Sequence, residues 1–264
     1  MTTKADLVTY ECVDRIATIR LNRPEKMNAF SDELVMALSA ALHRLDTDPT
    51  ANVAILTGNG RAFSTGADVN QRQLRTREEL LSLGGPEGLH AKAADVFTRA
   101  VNWKPVIAAA HGYAIGMALG FMLCCDMVVA EEGTQFQVTE TPRGLSGVRY
   151  AHFLQLLGNG TFAYEVSMTG AYFSAQRAFG AGVINRLAPA GTYLQVAHDL
   201  AMQVADMPPL SVRAIVRARR LKLDEIERDA AMVTDPLKLH LSDDFRESAL
   251  AFVEKRPRKP MQGR

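Results

Sequence analysis

The sequence contains little of what a metal site or a disulfide framework requires. Its three cysteines are Cys12, Cys124 and Cys125, and two of them are adjacent, so no Cys-x-x-Cys pair occurs. The six histidines never fall at the HxxxH or HExxH spacing that zinc enzymes use. An odd number of cysteines also fits no fully paired framework. We therefore expect a reduced, cytoplasmic protein that holds no metal.

The sequence also has no large excess of charge of one sign and no long apolar run. Lysine and arginine exceed the acidic residues by one, so the formal net charge is +1, and no overall field attracts nucleic acid or an anionic membrane. The opening residues MTTKADLVTY contain no apolar signal region. The apolar run 114–125 is too short to span a bilayer. The sequence therefore predicts no nucleic-acid partner and no membrane partner.

Several familiar catalytic motifs are absent. No GxxxxGK[ST] loop occurs, and no GxGxxG follows a strand pattern. Residues 144–147 read GLSG, which is not the GxSxG turn of a serine hydrolase. Cys124 and Cys125 lie in an apolar run, which favours buried structural thiols over nucleophiles. His111 ends an apolar strand pattern, where a core histidine is more common than a catalytic base.

What is present indicates a globular α/β protein. The chain has 264 residues, of which 47% are hydrophobic and 22% charged, and this suits one large domain or a domain with an appendage. Strand and helix patterns alternate over residues 50–187, which predicts βα units and a mostly parallel sheet. Residues from about 191 onward are almost all helix-forming. We expect a core over 1–190 and a helical region over 191–264 that docks on a neighbour.

The hydrophobic periodicity predicts individual elements. A hairpin is expected over 7–21, an amphipathic helix over 31–47, and a mobile surface segment with a short helix over 69–87. Further strands are predicted at 53–57, 61–63, 105–110, 127–130, 135–138 and 182–185. Further helices are predicted at 89–102, 116–125, 150–157, 162–168, 174–179, 193–205, 210–223, 224–232 and 241–254.

The stretch 105–126 organises the rest of the chain. An apolar strand pattern runs into the glycine-containing turn HGYAIGMALG, and an apolar helix pattern follows. The first N–H groups of a helix have no intrahelical acceptor, and the helix dipole makes that end attractive to negative charge. The turn therefore fits an oxyanion hole, in which a second turn at 64–68 would supply another amide donor. It also fits a tight βα turn whose glycines serve only close packing.

An acid or base is needed for chemistry on such a carbonyl group, and Glu140 is the candidate. Small and apolar residues precede it and Pro142 follows it, and a carboxyl group in a partly apolar pocket has a raised pKa that suits proton transfer. An exposed loop carboxylate without a catalytic role is the alternative that the spacing leaves open.

Five short motifs occur in order along nearly the whole chain. They are N-R-P with N-A at 22–24 and 28–29, A-F-S-T-G-A-D at 62–68, H-G-Y-A-I-G at 111–116, C-D at 125–126, and A-F-V-E-K-R at 251–256. Each motif alone is weak, but in this order and spacing they resemble the enoyl-CoA hydratase/isomerase family, also called the crotonase family.

The resemblance implies a crotonase-like spiral of ββα units, related to that of ClpP, with a helical C-terminal trimerisation region. It implies an acyl-CoA substrate, a homotrimer or a dimer of trimers, and no tightly bound cofactor, because coenzyme A arrives as part of the thioester. Backbone N–H groups of Ala67 and Met117 would bind the thioester carbonyl, and Glu140 would be the acid/base. The residues implied along the CoA portion are Lys26, Asp68, Val69 and Asn70.

Departures from the family pattern bear on the reaction. Family hydratases carry two glutamates; the later one matches Glu140, but the earlier one falls on Gly120. Thr139 stands where proline is common, and the family's triple glycine is reduced to Gly116-Met117-Ala118. A single carboxylate favours moving a double bond over adding water. Hydration, CoA-thioester hydrolysis or decarboxylation, and non-catalytic acyl-CoA binding remain the alternatives.

Overall fold

The computed structural model describes residues 6–86 and 103–264. Its strands are β1 (Val8–Val13), β2 (Ile16–Leu21), β3 (Val53–Gly58), β4 (Val106–Ala110), β5 (Tyr113–Ile115), β6 (Met127–Glu131), β7 (Gln135–Gln137), β8 (Phe173–Ser174) and β9 (Arg186–Ala188). Six of them form a sheet in the order β1-β2-β3-β4-β6-β9. The β1–β2 pair is antiparallel and the other pairs are parallel, as the alternating pattern predicted.

Helices cover both faces of this sheet. They are α1 (Asp32–Thr47), α2 (Val69–Arg72), α3 (Arg77–Leu83), α4 (Met117–Cys124), α5 (Val148–Leu157), α6 (Gly160–Thr169), α7 (Ala175–Gly180), α8 (Tyr193–Ala205), α9 (Pro209–Thr234) and α10 (Asp243–Val253). Short 3-10 turns occur at Pro24–Lys26, Thr141–Arg143, Asp235–Leu237 and Leu239–Leu241.

The two faces of the sheet are separate apolar cores. Side chains alternate along a strand, so Leu56 of β3 packs with α1 and α4, whereas Ile55 packs with α8. Along α1, leucine and alanine side chains at helical spacing are buried, and the Ser31 hydroxyl accepts the N–H of Leu34 at 3.2 Å as the predicted N-cap. α8 is packed by alanines, which allow a close approach to the sheet.

A second, three-stranded sheet in the order β5-β7-β8 carries the turns described below. β5 follows β4 after Gly112, and α4 follows β5 directly. The chain therefore turns twice within a few residues, so the N-terminus of α4 sits beside the end of β5. This is the strand–turn–helix arrangement that the stretch 105–126 predicted.

Most predicted elements are confirmed to within a few residues, but four predictions need correction. Residues 61–63 are not a strand, because the Asn28 side chain occupies the carbonyl oxygens of Ala62 and Phe63 that a ladder would use. Residues 182–185 are not a strand either. There the Asn185 side chain accepts the N–H of Val128 at 2.7 Å, and β9 begins one residue later.

The other two corrections concern helices. The predicted helices at 210–223 and 224–232 are the single continuous helix α9. Over its described residues 69–86, the segment is mostly exposed or partly exposed as expected, but it contains two short helices, α2 and α3, instead of one, and its Arg72 and Leu80 side chains are buried. The helix predicted at 89–102 lies outside the described residues. Over residues 6–86 and 103–264, no helix combines the length and apolar character needed to cross a bilayer.

Candidate active site

Two backbone turns meet at the N-terminus of α4. Gly66 has a φ of +87°, and a Cβ built on it would lie 2.4 Å from the carbonyl oxygen of Ile115 and 3.5 Å from the nitrogen of Met117. Glycine is therefore required here by both conformation and space. Because Ala67 is the next residue, its turn lies directly beside the first residue of α4.

A buried hydrogen-bond chain fixes the first of these turns. The Ser64 hydroxyl donates to the carbonyl oxygen of Asn28 at 2.7 Å and accepts the N–H of Gly66 at 3.2 Å. The Asn28 side chain donates to the carbonyl oxygens of Asn59 and Ala62, each at 2.9 Å. Both Ser64 and Asn28 are fully buried. The loop at 22–29 therefore holds the turn at 64–68 in place.

The two predicted amide donors make no internal hydrogen bond in the described structure. Among residues 6–86 and 103–264, neither the N–H of Ala67 nor the N–H of Met117 donates to an acceptor. Met117 is the first residue of α4 and is not among the non-glycine residues with positive φ in that part of the chain. Gly116, with φ +52°, makes the turn instead. The change from glycine to methionine at 117 therefore leaves the backbone donor intact.

The C-terminus of α4 is held by two arginines of α9. Arg219 donates to the carbonyl oxygens of Leu123 and Cys125, each at 2.8 Å. Arg220 forms a two-pronged ion pair with Asp126 at 2.8 and 2.9 Å. Cations at the C-terminal end of a helix complement its dipole. Both ends of α4 are thus fixed by contacts from distant parts of the chain.

Glu140 lies beside the Met117 turn. Its carboxyl Oε1 is 3.7 Å from the position that a Cβ on Gly116 would occupy. Its backbone carbonyl accepts the N–H groups of Arg143 at 3.0 Å and Leu145 at 2.8 Å, which closes the 3-10 turn after β7. The side chain is partly buried. Glu140 is therefore not an exposed loop carboxylate, and its catalytic role stays a prediction.

A cavity of about 1210 Å³ joins these groups. Every residue predicted for the site contributes to its wall, and so does Arg143. The predicted residues on the wall are Lys26, Ala67, Asp68, Val69, Asn70, Met117 and Glu140. The structure thus brings the predicted donors, the predicted acid/base and the predicted CoA contacts into one space. Their roles toward a ligand stay predictions.

Ion pairs and burial set the electrostatics of the cavity wall. Asp68 pairs with Arg23 at 2.7 Å, so this carboxylate anchors the turn at 64–68 to the loop at 22–29. Arg143 lies over the ring of Phe252 at 3.9 Å and donates to the carbonyl oxygen of Ser248. Burial lowers the pKa of the Arg143 guanidinium, with the nearby Arg258 acting in the same direction. α10 therefore closes this side of the cavity.

Sequence reasoning missed Arg72 on the cavity wall, and it considered Tyr150 at the acyl end but favoured a surface or interface position for it, whereas Tyr150 is buried. Arg72 is almost fully buried on the cavity wall, where its Nη1 lies 3.4 Å from the sulfur of Met117. The polar character of its segment concealed this burial. Tyr150, on α5, packs against Gly120. A missing side chain at 120 was visible in the sequence, but the residue that fills its space was not.

Residues assigned to the core by sequence are there. His111 is buried, its Nε2 is 3.0 Å from the carbonyl oxygen of Gly60, and its ring stacks on Tyr193. Burial lowers the pKa of His111. Burial likewise raises the pKa of the Cys124 thiol to about 12 and raises that of Cys125. Neither thiol has the low pKa of a nucleophile.

Known proteins share both the sequence and the architecture. A family model described as enoyl-CoA hydratase/isomerase matches residues 11–262. Mevalonyl-coenzyme A hydratase sidH of Aspergillus fumigatus is 32% identical over 251 residues, covering 91% of this chain and 89% of that protein. The 2,3-dehydroadipyl-CoA hydratase of Escherichia coli is 31% identical over 246 residues, covering 92% of this chain and 93% of that protein.

The crystal structure of an enoyl-CoA hydratase/isomerase from Pseudoalteromonas atlantica matches with a TM-score of 0.81 and 27% identity, covering 97% of this chain and 100% of that one. The fold is thus the crotonase fold, and with this site it defines an enzyme that acts on acyl-CoA. The chain belongs to the enoyl-CoA hydratase/isomerase family, as the resemblance of its motifs implied.

Proposed function

We propose that this enzyme shifts the double bond of an enoyl-CoA from the 3-position to the 2-position. The observation that carries the proposal is the placement of Glu140 beside the turn that presents the N–H of Met117, on a helix whose position 120 has no side chain. One carboxylate next to an oxyanion hole is sufficient to move a proton between two carbons of a thioester.

The proposed reaction uses the groups of the site in two steps. The thioester carbonyl oxygen accepts hydrogen bonds from the N–H groups of Ala67 and Met117. The Glu140 carboxylate removes a proton from C2, and the electron pair of that C–H bond moves toward the carbonyl to give an enolate conjugated with the 3,4-double bond. Glu140 then returns the proton to C4, and the double bond settles between C2 and C3. The mass of the substrate is unchanged.

Charge stabilisation by the two amides carries much of the proposed rate. Each preorganised donor in such a site contributes about 2.7–4 kcal/mol to the stabilisation of a developing oxyanion. The N-terminal end of α4 adds a favourable dipole at the same point. The donors are free in the described structure, so the substrate displaces no internal hydrogen bond when it binds.

Hydration of a 2-enoyl-CoA is the second candidate. It is supported by the names of the relatives, since mevalonyl-coenzyme A hydratase and 2,3-dehydroadipyl-CoA hydratase both add or remove water. Hydrolysis or decarboxylation of the thioester and acyl-CoA binding without turnover remain further alternatives, because one enolate-stabilising site supports several reactions.

The remaining features of the proposal concern the ligand and the assembly. Lys26, Asp68, Val69 and Asn70 are proposed to line the CoA portion, and no cofactor is proposed besides the coenzyme A of the substrate. A cytoplasmic homotrimer or dimer of trimers is proposed, with the helical region 191–264 at the interface. Several large apolar side chains of α9 are exposed and support such an interface, namely Leu210, Ile215, Leu221, Met232 and Val233.

The proposal is tested by offering the purified enzyme a 3-enoyl-CoA and a 2-enoyl-CoA in separate reactions. Products are followed by mass spectrometry after chromatographic separation of the isomers. Conversion of the 3-enoyl ester into the 2-enoyl ester at unchanged mass is the expected result. Addition of one water to the 2-enoyl ester, without isomerisation of the other, would make hydratase the correct function.

A further inference from the structure

The space that a side chain at position 120 would occupy is filled by Tyr150. A Cβ built on Gly120 would lie 3.1 Å from the Tyr150 hydroxyl oxygen and 3.5 Å from both Cε1 and Cζ of its ring. These three are the nearest atoms to that position outside the neighbouring backbone. The phenol end of Tyr150 therefore stands where the functional group of a longer residue at 120 would begin.

The contact between Tyr150 and Gly120 lies one turn of α4 beyond Gly116, the glycine that Glu140 approaches. The N–H of Gly120 donates to the carbonyl oxygen of Gly116 at 3.0 Å, so the two glycines occupy successive turns on one side of α4. Glu140 Oε1 faces the first glycine and the Tyr150 hydroxyl faces the second. The carboxyl and the phenol are thus neighbours along the helix that presents the N–H of Met117.

The ring of Tyr150 is held rigidly in this place. Its side chain is only 2% exposed and belongs to the apolar core. It projects from the first turn of α5, which Arg149 ties to α9 through an ion pair with Glu227 at 2.9 Å. Gly147, immediately before α5, packs against Thr141 in the turn that carries Glu140. The segment between Glu140 and Tyr150 therefore fixes both groups relative to each other.

Adding water to an enoyl thioester requires a polar group that the residues around Gly120 do not provide. The water oxygen must bond to C3 while a proton reaches C2, so a second polar group beside Glu140 has to hold and activate the water. Position 120 is where α4 could present that group. A phenol is uncharged near neutral pH and is a poor base for water, and a buried ring leaves the water no volume.

We infer that Tyr150 is a specificity-determining residue, which excludes the activated water from the space beside Gly120 and thereby limits the site to one-carboxylate proton transfer. The inference rests on the proposed function, and it names the side chain that favours isomerisation over hydration. Tyr150 acts here through the volume of its ring. Removing that volume and adding a carboxylate at 120 is therefore expected to open a hydration reaction.

The decisive comparison uses two double variants that differ in one charged group. Gly120→Glu/Tyr150→Ala is expected to hydrate a 2-enoyl-CoA at least about tenfold faster than Gly120→Gln/Tyr150→Ala, because a positioned acid or base contributes about 100- to 10,000-fold. Gly120→Glu alone is expected to gain nothing, since the Tyr150 ring still fills the space. Circular dichroism and binding of a saturated acyl-CoA verify that each variant is folded. Equal hydration by the two folded double variants would overturn the inference.

A single variant keeps the inference testable if the double variants do not fold. Tyr150→Phe retains the ring, so the ratio of hydration to isomerisation is expected to stay within about threefold of that of the unmodified enzyme, well inside the range that loss of a catalytic acid or base would produce. A tenfold change in this ratio would show that the hydroxyl, not the ring volume, sets the specificity. An unmodified enzyme that moves no double bond would instead refute the proposed function, separately from the comparison between the double variants.

Discussion

At the scale of single residues, Met117 shows that backbone and side chain can have separate roles. Met117 lies on the cavity wall and its N–H has no acceptor in the described chain, while its sulfur lies beside Arg72. The residue begins α4, a position where proline is tolerated because no intrahelical hydrogen bond is lost. A variant can therefore remove the donor and keep the helix.

We predict that Met117→Pro lowers kcat by about 100- to 1,000-fold, the cost of removing one oxyanion donor. Met117→Ala keeps the N–H and is expected to lose far less. Steady-state kinetics on the preferred enoyl-CoA measure both, and circular dichroism checks the helix content. Equal losses in two folded variants would mean that the side chain, and not the amide, is what the reaction needs.

His111 provides a pH-dependent test of the core. Burial lowers its pKa below the ordinary value of about 6.5, so the neutral ring is the form that the folded protein favours. Between the lowered pKa and about 6.5, the unfolded chain binds more protons, and stability therefore rises with pH across that window. Its contribution is complete above about pH 6.5 and is lost as the pH falls toward the lowered value.

We predict that the free energy of unfolding decreases between about pH 7 and pH 5, and that His111→Gln flattens this decrease. Glutamine retains a donor for the carbonyl oxygen of Gly60 but does not titrate. Urea unfolding of the unmodified protein and of the variant at several pH values is the measurement. A slope unaffected by His111→Gln would contradict the assignment.

Whether a residue could be predicted depended on how far apart in sequence its contacts lie. Ala67 and Met117 were assigned from the resemblance of two short motifs and Glu140 from its place in the loop after a strand pattern, and all three lie on the cavity wall. The burial of Arg72 beside Met117 and the contact of Tyr150 with Gly120 were not predicted, because both contacts join residues distant in sequence. Periodicity describes which face of an element is buried, but it does not describe which distant side chain will fill a particular space.

At the scale of elements, α9 acts as a clamp on α4. Arg219 and Arg220 of α9 reach the last carbonyl groups of α4 and the Asp126 carboxylate that follows it. Asp126 and Arg220 are both more than nine-tenths buried. A helix that carries an oxyanion donor at one end is therefore held in position at its other end by an element from the C-terminal region.

We predict that Arg220→Met lowers the free energy of unfolding by about 3–5 kcal/mol, because it leaves the Asp126 charge buried without its main partner. Arg228→Met, on the same helix, removes an exposed pair with Asp224 and should cost less than about 1 kcal/mol. Urea unfolding at equal protein concentration gives both values. Similar losses for the two variants would show that the clamp contributes little.

The boundaries of elements were less predictable than their existence. Two helices were expected on either side of residue 224, but α9 continues through it, and Leu223 and Ile226 on either side of it are buried on one face of the same helix. Two strands were misplaced where asparagine side chains, those of Asn28 and Asn185, take hydrogen bonds that the ladder would otherwise make. Such side-chain competition has no signature in hydrophobic periodicity.

At the scale of the whole molecule, the C-terminal helices have two different environments. α8 covers the second face of the central sheet and is part of its packing. α9, by contrast, exposes large apolar side chains along its length. The division at residue 190 remains a prediction, but this difference indicates which of the helices is available to a second copy of the chain.

We predict that the protein is a trimer or a dimer of trimers and that Leu210→Asp/Ile215→Asp shifts it toward the monomer, because charges at an apolar interface remain uncompensated. Size-exclusion chromatography with light scattering gives the mass. Met36→Asp, at an equally exposed apolar position on α1, is the control expected to leave the assembly intact. A monomeric unmodified protein would refute the prediction.

The central claim is that Glu140 moves a proton between C2 and C4 of a thioester enolate held by two backbone amides. The most direct measurement incubates a 3-enoyl-CoA in D₂O with the unmodified enzyme and with Glu140→Gln, which keeps the shape of the side chain but removes the base. We predict a 2-enoyl-CoA product with deuterium in its acyl chain, no added water, and loss of both reaction and exchange in the variant while acyl-CoA binding persists. Unchanged isomerisation and exchange in a folded Glu140→Gln variant would contradict it.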